Sequence, residues 1–167
     1  MPAFTLRSAR TSDVAGIRQL VRPLADRRVL LEKEAVAYFE SLQEFIVAED
    51  AGELLGCGAL HVMWEDLAEI RTLATVDSHR GQGIGKAILR DLVDRARAIG
   101  VSRLFCLTFE VDFFRAMGFE VMPNQTAVDP EVYSELLRST DEGVAEFLDL
   151  ARVKPNTLGN TRMIMNL

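Results

Sequence analysis

Apolar and polar positions follow two different periods along the chain, and these periods define the predicted elements. The segment AFTLRSA alternates apolar and polar side chains, which predicts a first strand at 3–9. Helical spacing follows in TSDVAGIRQLVRPLADRR, where Thr11, Ser12 and Asp13 are candidate caps and Pro23 is expected to end or bend the helix. A short second helix is predicted in EKEAVAYFESL.

The middle of the chain predicts a meander of strands and then a long helix. Two apolar runs in EFIVAEDAGELLGCGALHVM are separated by EDAGE, which is typical of a hairpin with Gly52 in its turn. EDLAEIRTLATV is the next predicted strand. The helix from Ile84 carries an apolar stripe and is expected to end at Gly100. SRLFCLTF contains a continuous apolar run, LFCL, and is apolar enough for a central strand buried on both faces.

The C-terminal third continues the mixture of helices and strands. EVDFFRAMGFEVM predicts a short helix, a turn at Gly118 and a strand; PEVYSELLRS and TDEGVAEFLDLAR predict helices, and TLGNTRMIMNL predicts a final strand. This order predicts an α+β fold in which a mixed, mostly antiparallel central sheet is flanked by helices. At 167 residues, the chain is expected to form one domain over 1–167.

Composition narrows the possible partners. The net charge is −6 and the basic residues are scattered among acidic ones, so nucleic acid is not an expected partner. Cys57 and Cys106 each lie in an apolar run without a neighbouring His or second Cys, which indicates buried thiols in a reducing compartment and no metal site. No signal peptide or apolar window of membrane-spanning length is evident, so a cytoplasmic protein without membrane association is expected.

The segment HRGQGIG, directly before the long helix, has three glycines at alternate positions. The first N–H groups of a helix have no internal partners and carry its positive dipole end, so such a loop can bind a phosphate. A P-loop is poorly supported because the hydroxyl is missing after Lys86 and Arg80 replaces the first glycine. A dinucleotide loop has a different glycine spacing and follows the first strand of a parallel unit.

A third pattern, Arg/Gln-x-x-Gly-x-Gly/Ala, is met by Arg80, Gly83 and Gly85, with FFRAMGFE downstream. In these motifs the sequence resembles the GNAT family of N-acetyltransferases. The resemblance implies acetyl-CoA as co-substrate and no metal, with the loop and helix holding the pyrophosphate. It also implies that the backbone of LAT pairs with the pantetheine arm and that an N–H there holds the thioester carbonyl. The residues so implied in cofactor binding are Leu73, Ala74, Thr75, Arg80, Gly81, Gln82, Gly83, Ile84, Gly85 and Lys86.

The resemblance also suggests catalytic residues. Glu69 occupies an early position on the strand where family members often place a carboxylate that takes the proton of the ammonium, usually through water. The tyrosine that often protonates the departing thiolate is Phe114 here, which cannot donate a proton. Thr108 is therefore a candidate hydroxyl, unless the thiolate leaves without strong acid assistance. His61 and His79 are alternative bases.

Three outer segments, PLADRRVLLEKE, AEIRTLAT and GNTRMIMNL, resemble short, stand-alone amino-acid N-acetyltransferases that make N-acetylglutamate. The implied acceptor is the α-amine of L-glutamate or L-glutamine, in the first step of arginine biosynthesis, and a homodimer is possible. Cations would bind the carboxylates of this small-molecule substrate. The candidates are Arg27, Lys33, Arg71 and Arg162.

Two alternatives stay open at this point. The same chemistry could act on a different amine, such as a protein N-terminus, a polyamine or an antibiotic. The absence of the tyrosine at Phe114 also leaves room for a non-catalytic CoA-binding module.

Overall fold

The computed structural model describes residues 3–30, 33–122, 128–148 and 160–167. The helices are α1 Val14–Asp26, α2 Ala35–Glu40, α3 Ile84–Ala98, α4 Val111–Ala116, α5 Pro130–Leu136 and α6 Glu142–Phe147. The strands are β1 Thr5–Ser8, β2 Phe45–Asp50, β3 Glu53–Trp64, β4 Leu67–Thr75, β5 Arg103–Thr108, β6 Glu120–Val121 and β7 Thr161–Asn166.

The strands form a seven-stranded mixed sheet in the order β1-β2-β3-β4-β5-β7-β6. β4 and β5 are parallel, whereas β1 with β2, β2 with β3, β5 with β7 and β6 with β7 are antiparallel. The predicted α+β fold is thereby confirmed. Two compact units divide the chain, one of Met1–His61 with Ile70–Ile99 and one of Val62–Glu69 with Gly100–Leu167. The single domain over 1–167 stays a prediction.

In the first unit, one face of α1 is buried in an apolar cluster. Ile17 and Val21 of α1 lie there with Val47 of β2 and Cys57 of β3. Pro23 does not end the helix, which continues to Asp26. Leu24 packs against the same cluster, so tertiary packing supports the last turn despite the hydrogen bond that proline cannot donate.

Helix α3 packs against β3 at positions that have no side chain. A Cβ at Gly58 would lie 2.7 Å from Cγ2 of Ile88 and 3.0 Å from Cδ1 of Leu92. Gly56 is similarly close to Ile88. Successive residues of a strand point to opposite faces, so these glycines face α3 while Cys57 between them faces the α1 cluster. Close approach of α3 places its first turn, and the glycine loop before it, against the sheet.

The predicted cap residues before α1 form a short 3-10 helix, Thr11–Asp13. The carboxylate of Asp13 accepts a hydrogen bond from the Arg10 backbone N–H at 2.6 Å and two from the Arg7 guanidinium at 2.7 and 3.0 Å. Arg7 is the main cause of a lowered pKa for this buried carboxyl. The carboxylate therefore fixes the start of α1 by holding both Arg10 and β1.

The second unit is built around β5. Leu104, Phe105 and Cys106 are all buried, as predicted for a central strand. Phe105 meets Phe147 of α6 edge to face at 5.6 Å. The predicted helix TDEGVAEFLDLAR is observed as α6, and its last residues, 149–152, lie outside the described residues. The same holds for residues 157–159 of the predicted final strand, which is observed as β7.

Candidate active site

The glycine loop joins the end of β4 to α3 in the first unit. Gly81 and Gly83 have φ angles of 83° and 84°, a left-handed conformation that glycine adopts without steric cost. No heavy atom lies within 4 Å of a Cβ placed on either residue. Gly83 is the N-cap of α3, and a glycine has no side chain that could cap the helix. The first N–H groups of α3 are therefore left for another acceptor, which suits an anion.

The side chains in and next to the loop differ in their exposure to solvent. Arg80 and Lys86 are exposed at the two ends of the loop, where their charges add to the positive end of the helix dipole. Ile84 is 2% exposed and packs into the core. Its predicted part in cofactor binding is thus restricted to its backbone N–H.

Strand β4 has an irregular backbone just before the LAT segment. Thr72 has a φ of 55° and is buried, although β-branched residues rarely adopt a left-handed conformation. Such an interruption is typical of β-bulges, which often lie next to active sites and redirect the backbone. Ala74 is buried, whereas Leu73 and Thr75 are half-buried.

Glu69 and Thr108 both lie in the second unit. Glu69 is 8% exposed and lies opposite Phe105 in the parallel β4–β5 pair. Burial, and after it the charge of Glu69, raises the pKa of the Cys106 thiol. Thr108 ends β5, and its Oγ1 accepts a hydrogen bond from the Glu110 N–H at 2.8 Å. This bond uses the oxygen as an acceptor and does not use the hydroxyl proton of Thr108.

Arg162 lies on β7 opposite Leu107, one position from the pair formed by Thr108 and Thr161. Its Nη1 is 3.5 Å from the carbonyl oxygen of Phe147. The predicted arginine and the predicted hydroxyl therefore lie at successive positions of one antiparallel pair, from which side chains point to opposite faces of the sheet.

The other predicted cations belong to the first unit. Lys33 and Arg71 are half-buried. Arg27 is exposed, and its Nε donates a hydrogen bond to the Pro23 carbonyl at 3.1 Å, so it caps the last turn of α1. Arg27 and Thr75 also line a cavity of about 540 Å³ within this unit.

The two histidines differ in their surroundings. Nδ1 of His61 is 2.7 Å from Oε1 of Glu44, and both side chains are about one quarter exposed. His79 contacts Ser78 at 2.9 Å in the exposed turn before the loop. Sequence reasoning singled out His61 but missed Glu44, because the two residues are 17 positions apart and no spacing rule connects them.

Phe114 takes part in aromatic packing. It is 5% exposed, and its ring meets those of Phe113 and Phe119 edge to face, each at 5.2 Å. These contacts explain an apolar ring at this position. They give no group that could protonate a thiolate.

Within the described ranges, no three His, Cys, Asp or Glu side chains are grouped so that they could hold a metal ion. In the same part of the chain, no helix has the length and apolar character needed to cross a membrane.

Comparison with known proteins decides the family. Residues 17–119 match the model of the acetyltransferase (GNAT) family. The chain belongs to the GNAT family. Membership confirms the predicted enzyme class, an acetyltransferase that uses acetyl-CoA.

Two curated relatives of this GNAT chain carry the same description. An "Amino-acid acetyltransferase" of Mycobacterium tuberculosis is 52% identical, covering 97% of this chain and 94% of the relative. A Neisseria meningitidis serogroup A protein of the same name is 35% identical over 77% of this chain, which spans 29% of that relative's length.

Two solved structures are similar to the chain over nearly its whole length. A Mycobacterium tuberculosis crystal structure in complex with CoA and NLQ matches the GNAT chain with a TM-score of 0.92 at 51% identity, covering 98% of this chain and 99% of that chain. N-acetylglutamate synthase from Neisseria gonorrhoeae, complexed with coenzyme A and N-acetyl-glutamate, matches with a TM-score of 0.79 at 25% identity. That match covers 100% of this chain and 36% of the synthase.

Proposed function

We propose that this GNAT protein transfers the acetyl group of acetyl-CoA to the α-amine of L-glutamate or L-glutamine. The main support is the 52% identity to an amino-acid acetyltransferase over nearly the full length of both chains. The synthase complexed with N-acetyl-glutamate supports the choice of acceptor. Residues of each unit would supply the chemistry that such a transfer needs.

The glycine loop is the proposed site for the pyrophosphate. Uncapped N–H groups at the start of α3, left-handed glycines with open space where a Cβ would lie, and the cations Arg80 and Lys86 suit a doubly charged anion. Acetyl-CoA supplies the activated acetyl group as a thioester. The backbone of Leu73–Thr75 would pair with the pantetheine arm and donate an N–H to the oxygen that gains negative charge during transfer.

Glu69 is the proposed base. An ammonium group cannot attack a thioester, so one proton must leave the acceptor first. A buried carboxylate can take that proton through a water molecule. Thr108 is the proposed donor toward the departing thiolate, because its hydroxyl proton is not used in the bond from Glu110. His61, oriented by Glu44, is the alternative base.

The acceptor carboxylates are assigned to Arg162, Arg71, Lys33 and Arg27. Arg162 is the first choice for a bidentate contact, since its backbone is held in β7 between β5 and β6 and the family resemblance assigns the carboxylate to an arginine of the final strand. Arg27 has the weakest support, because its Nε already caps α1.

An acceptor panel tests this proposal by coenzyme A release. We expect L-glutamate or L-glutamine to exceed simple aliphatic amines, polyamines and peptide N-termini in kcat/KM by about 100-fold or more, as expected when fixed cations bind the substrate carboxylate. L-Glutamate α-amide is the matched control, because it keeps the amine and loses the α-carboxylate. A better aliphatic or peptide acceptor would show that the acceptor class is wrong. Acetyl-CoA binding by calorimetry without turnover of any amine would instead indicate a non-catalytic module.

The proposal also includes the pathway, the cellular compartment and the oligomeric state. The reaction would be the first step of arginine biosynthesis in the cytoplasm, and the enzyme would act alone or as a homodimer. A bacterial strain that cannot make N-acetylglutamate does not grow without arginine. If this chain restores that growth, the result would support a role in arginine biosynthesis. Sedimentation with and without acetyl-CoA would decide the oligomeric state.

Replacement of Gly83 by alanine tests the loop. We expect about tenfold weaker binding of acetyl-CoA, because alanine disfavours the left-handed φ of 84° by about 1–3 kcal/mol and the first turn of α3 would shift to relieve it. Gly100→Ala is the control: it has a similar φ of 93°, equally open surroundings, and lies just past the other end of α3. The control should lose similar stability but bind acetyl-CoA normally. Equal binding by both variants would contradict the role of the loop.

A further inference from the structure

The thiol of Cys57 lies against the irregular part of β4. Its Sγ is 3.5 Å from the carbonyl oxygen of Thr72, to which the S–H donates. The backbone of Ala74 also hydrogen-bonds to this thiol, and burial raises its pKa to about 12, so the proton stays on sulfur at neutral pH. One side chain of β3 therefore contacts backbone groups on both sides of Leu73.

These contacts coincide with an unfavourable backbone conformation. Thr72, a β-branched residue, is held at a φ of 55° in a buried position. Such a conformation persists only where the surroundings fix it, and buried backbone groups that leave the regular ladder need other partners. A thiol provides one weak donor and one weak acceptor, which are the two functions needed by the Thr72 carbonyl and the Ala74 N–H.

We propose that Cys57 is a positioning residue for the transfer reaction, whose thiol holds the left-handed Thr72 and so sets the direction of the Leu73–Thr75 backbone groups. The inference rests on the proposed function, in which those groups bind acetyl-CoA. It assigns no chemical step to the thiol itself.

Substitution of Cys57 separates this role from simple packing. Cys57→Ala removes both hydrogen bonds and should weaken acetyl-CoA binding, measured by calorimetry, about tenfold. Cys57→Ser keeps a donor and an acceptor and should restore binding to within about threefold of wild type. Val47→Ala is the matched control, because Val47 pairs with Cys57 across β2 and β3 and lies in the same cluster. It should lower stability without changing the affinity for acetyl-CoA.

A double variant tests the backbone link directly. Glycine tolerates a positive φ, so Cys57→Ala should cost less affinity in a Thr72→Gly background than in the wild type. Equal losses in both backgrounds, or a serine variant as weak as the alanine variant, would overturn the proposal.

Amide hydrogen exchange distinguishes this inference from the proposed function. Cys57→Ala should accelerate exchange at Leu73–Thr75 more than Val47→Ala does, in the full chain and without any ligand. Unchanged exchange at these amides would show that the thiol does not hold this backbone. If the wild type failed to bind acetyl-CoA, the proposed function would be wrong, while the exchange data would still decide whether Cys57 fixes β4.

Discussion

Glu69→Gln is expected to lower kcat by about 100-fold or more at neutral pH, within the range typical of general base catalysis. Glutamine has nearly the same shape as glutamate but cannot accept a proton at neutral pH. The loss should shrink as pH rises, because a growing fraction of the acceptor amine is then already unprotonated. Initial rates of coenzyme A release between pH 6.5 and 9.5, at saturating concentrations of both substrates, measure this difference.

Asp13→Asn is the matched control for the loss of a buried carboxylate. Asp13 and Glu69 are both 8% exposed, but Asp13 binds Arg7 and Arg10 at the start of α1. Arg7 lowers the folded-state pKa of Asp13, so its stabilising effect is present above the unfolded pKa and is lost only as pH falls through the folded value. Asp13 therefore stays ionised throughout the assay range, and its variant should lose stability without a change in the pH profile of kcat. Wild-type rates for Glu69→Gln would remove Glu69 from the mechanism and leave His61, oriented by Glu44, as the base to test.

Local patterns in the sequence predicted most of the elements. Helix α3 and its loop were predictable because a 3.6-residue stripe, glycines at its start and Gly100 at its end all act within the segment. Strand β5 was recognisable because burial on both faces requires an uninterrupted apolar run. Pro23 was misleading as a helix end, since the contact of Leu24 with the core depends on residues far away in sequence.

The parts of the site that escaped prediction depend on contacts between distant segments. Strand β4 contains no glycine, so nothing in its composition indicates that one of its residues, Thr72, adopts a left-handed conformation. The thiol that contacts Thr72 lies 15 residues earlier. Glu44 beside His61 is a similar case. Periodicity predicts which face of a strand is buried, but it carries no information about which side chain reaches a particular carbonyl or imidazole.

Arg162→Leu is expected to raise the KM for the amino-acid acceptor by about 100-fold while leaving the KM for acetyl-CoA within about threefold of wild type. The reason is that a guanidinium can bind a carboxylate through two parallel hydrogen bonds, and its loss leaves that charge without a counterion. Arg162→Lys should recover only part of the affinity, because an ammonium keeps the charge but lacks the planar fork. Steady-state kinetics with each substrate varied in turn measures these effects.

Arg103→Leu is the matched control for Arg162→Leu, because both arginines lie in the second unit and both contact Phe147. The Arg103 guanidinium is 6.0 Å from the centre of the Phe147 ring and pairs with Asp66 at 2.9 Å, whereas Arg162 approaches the carbonyl oxygen of Phe147. Loss of Arg103 should therefore lower the free energy of unfolding, measured in urea, and leave both KM values unchanged. An unchanged acceptor KM in Arg162→Leu would exclude Arg162 from carboxylate binding. An equal rise in both arginine variants would attribute the effect to altered packing around Phe147, because only Arg162 is assigned to the substrate.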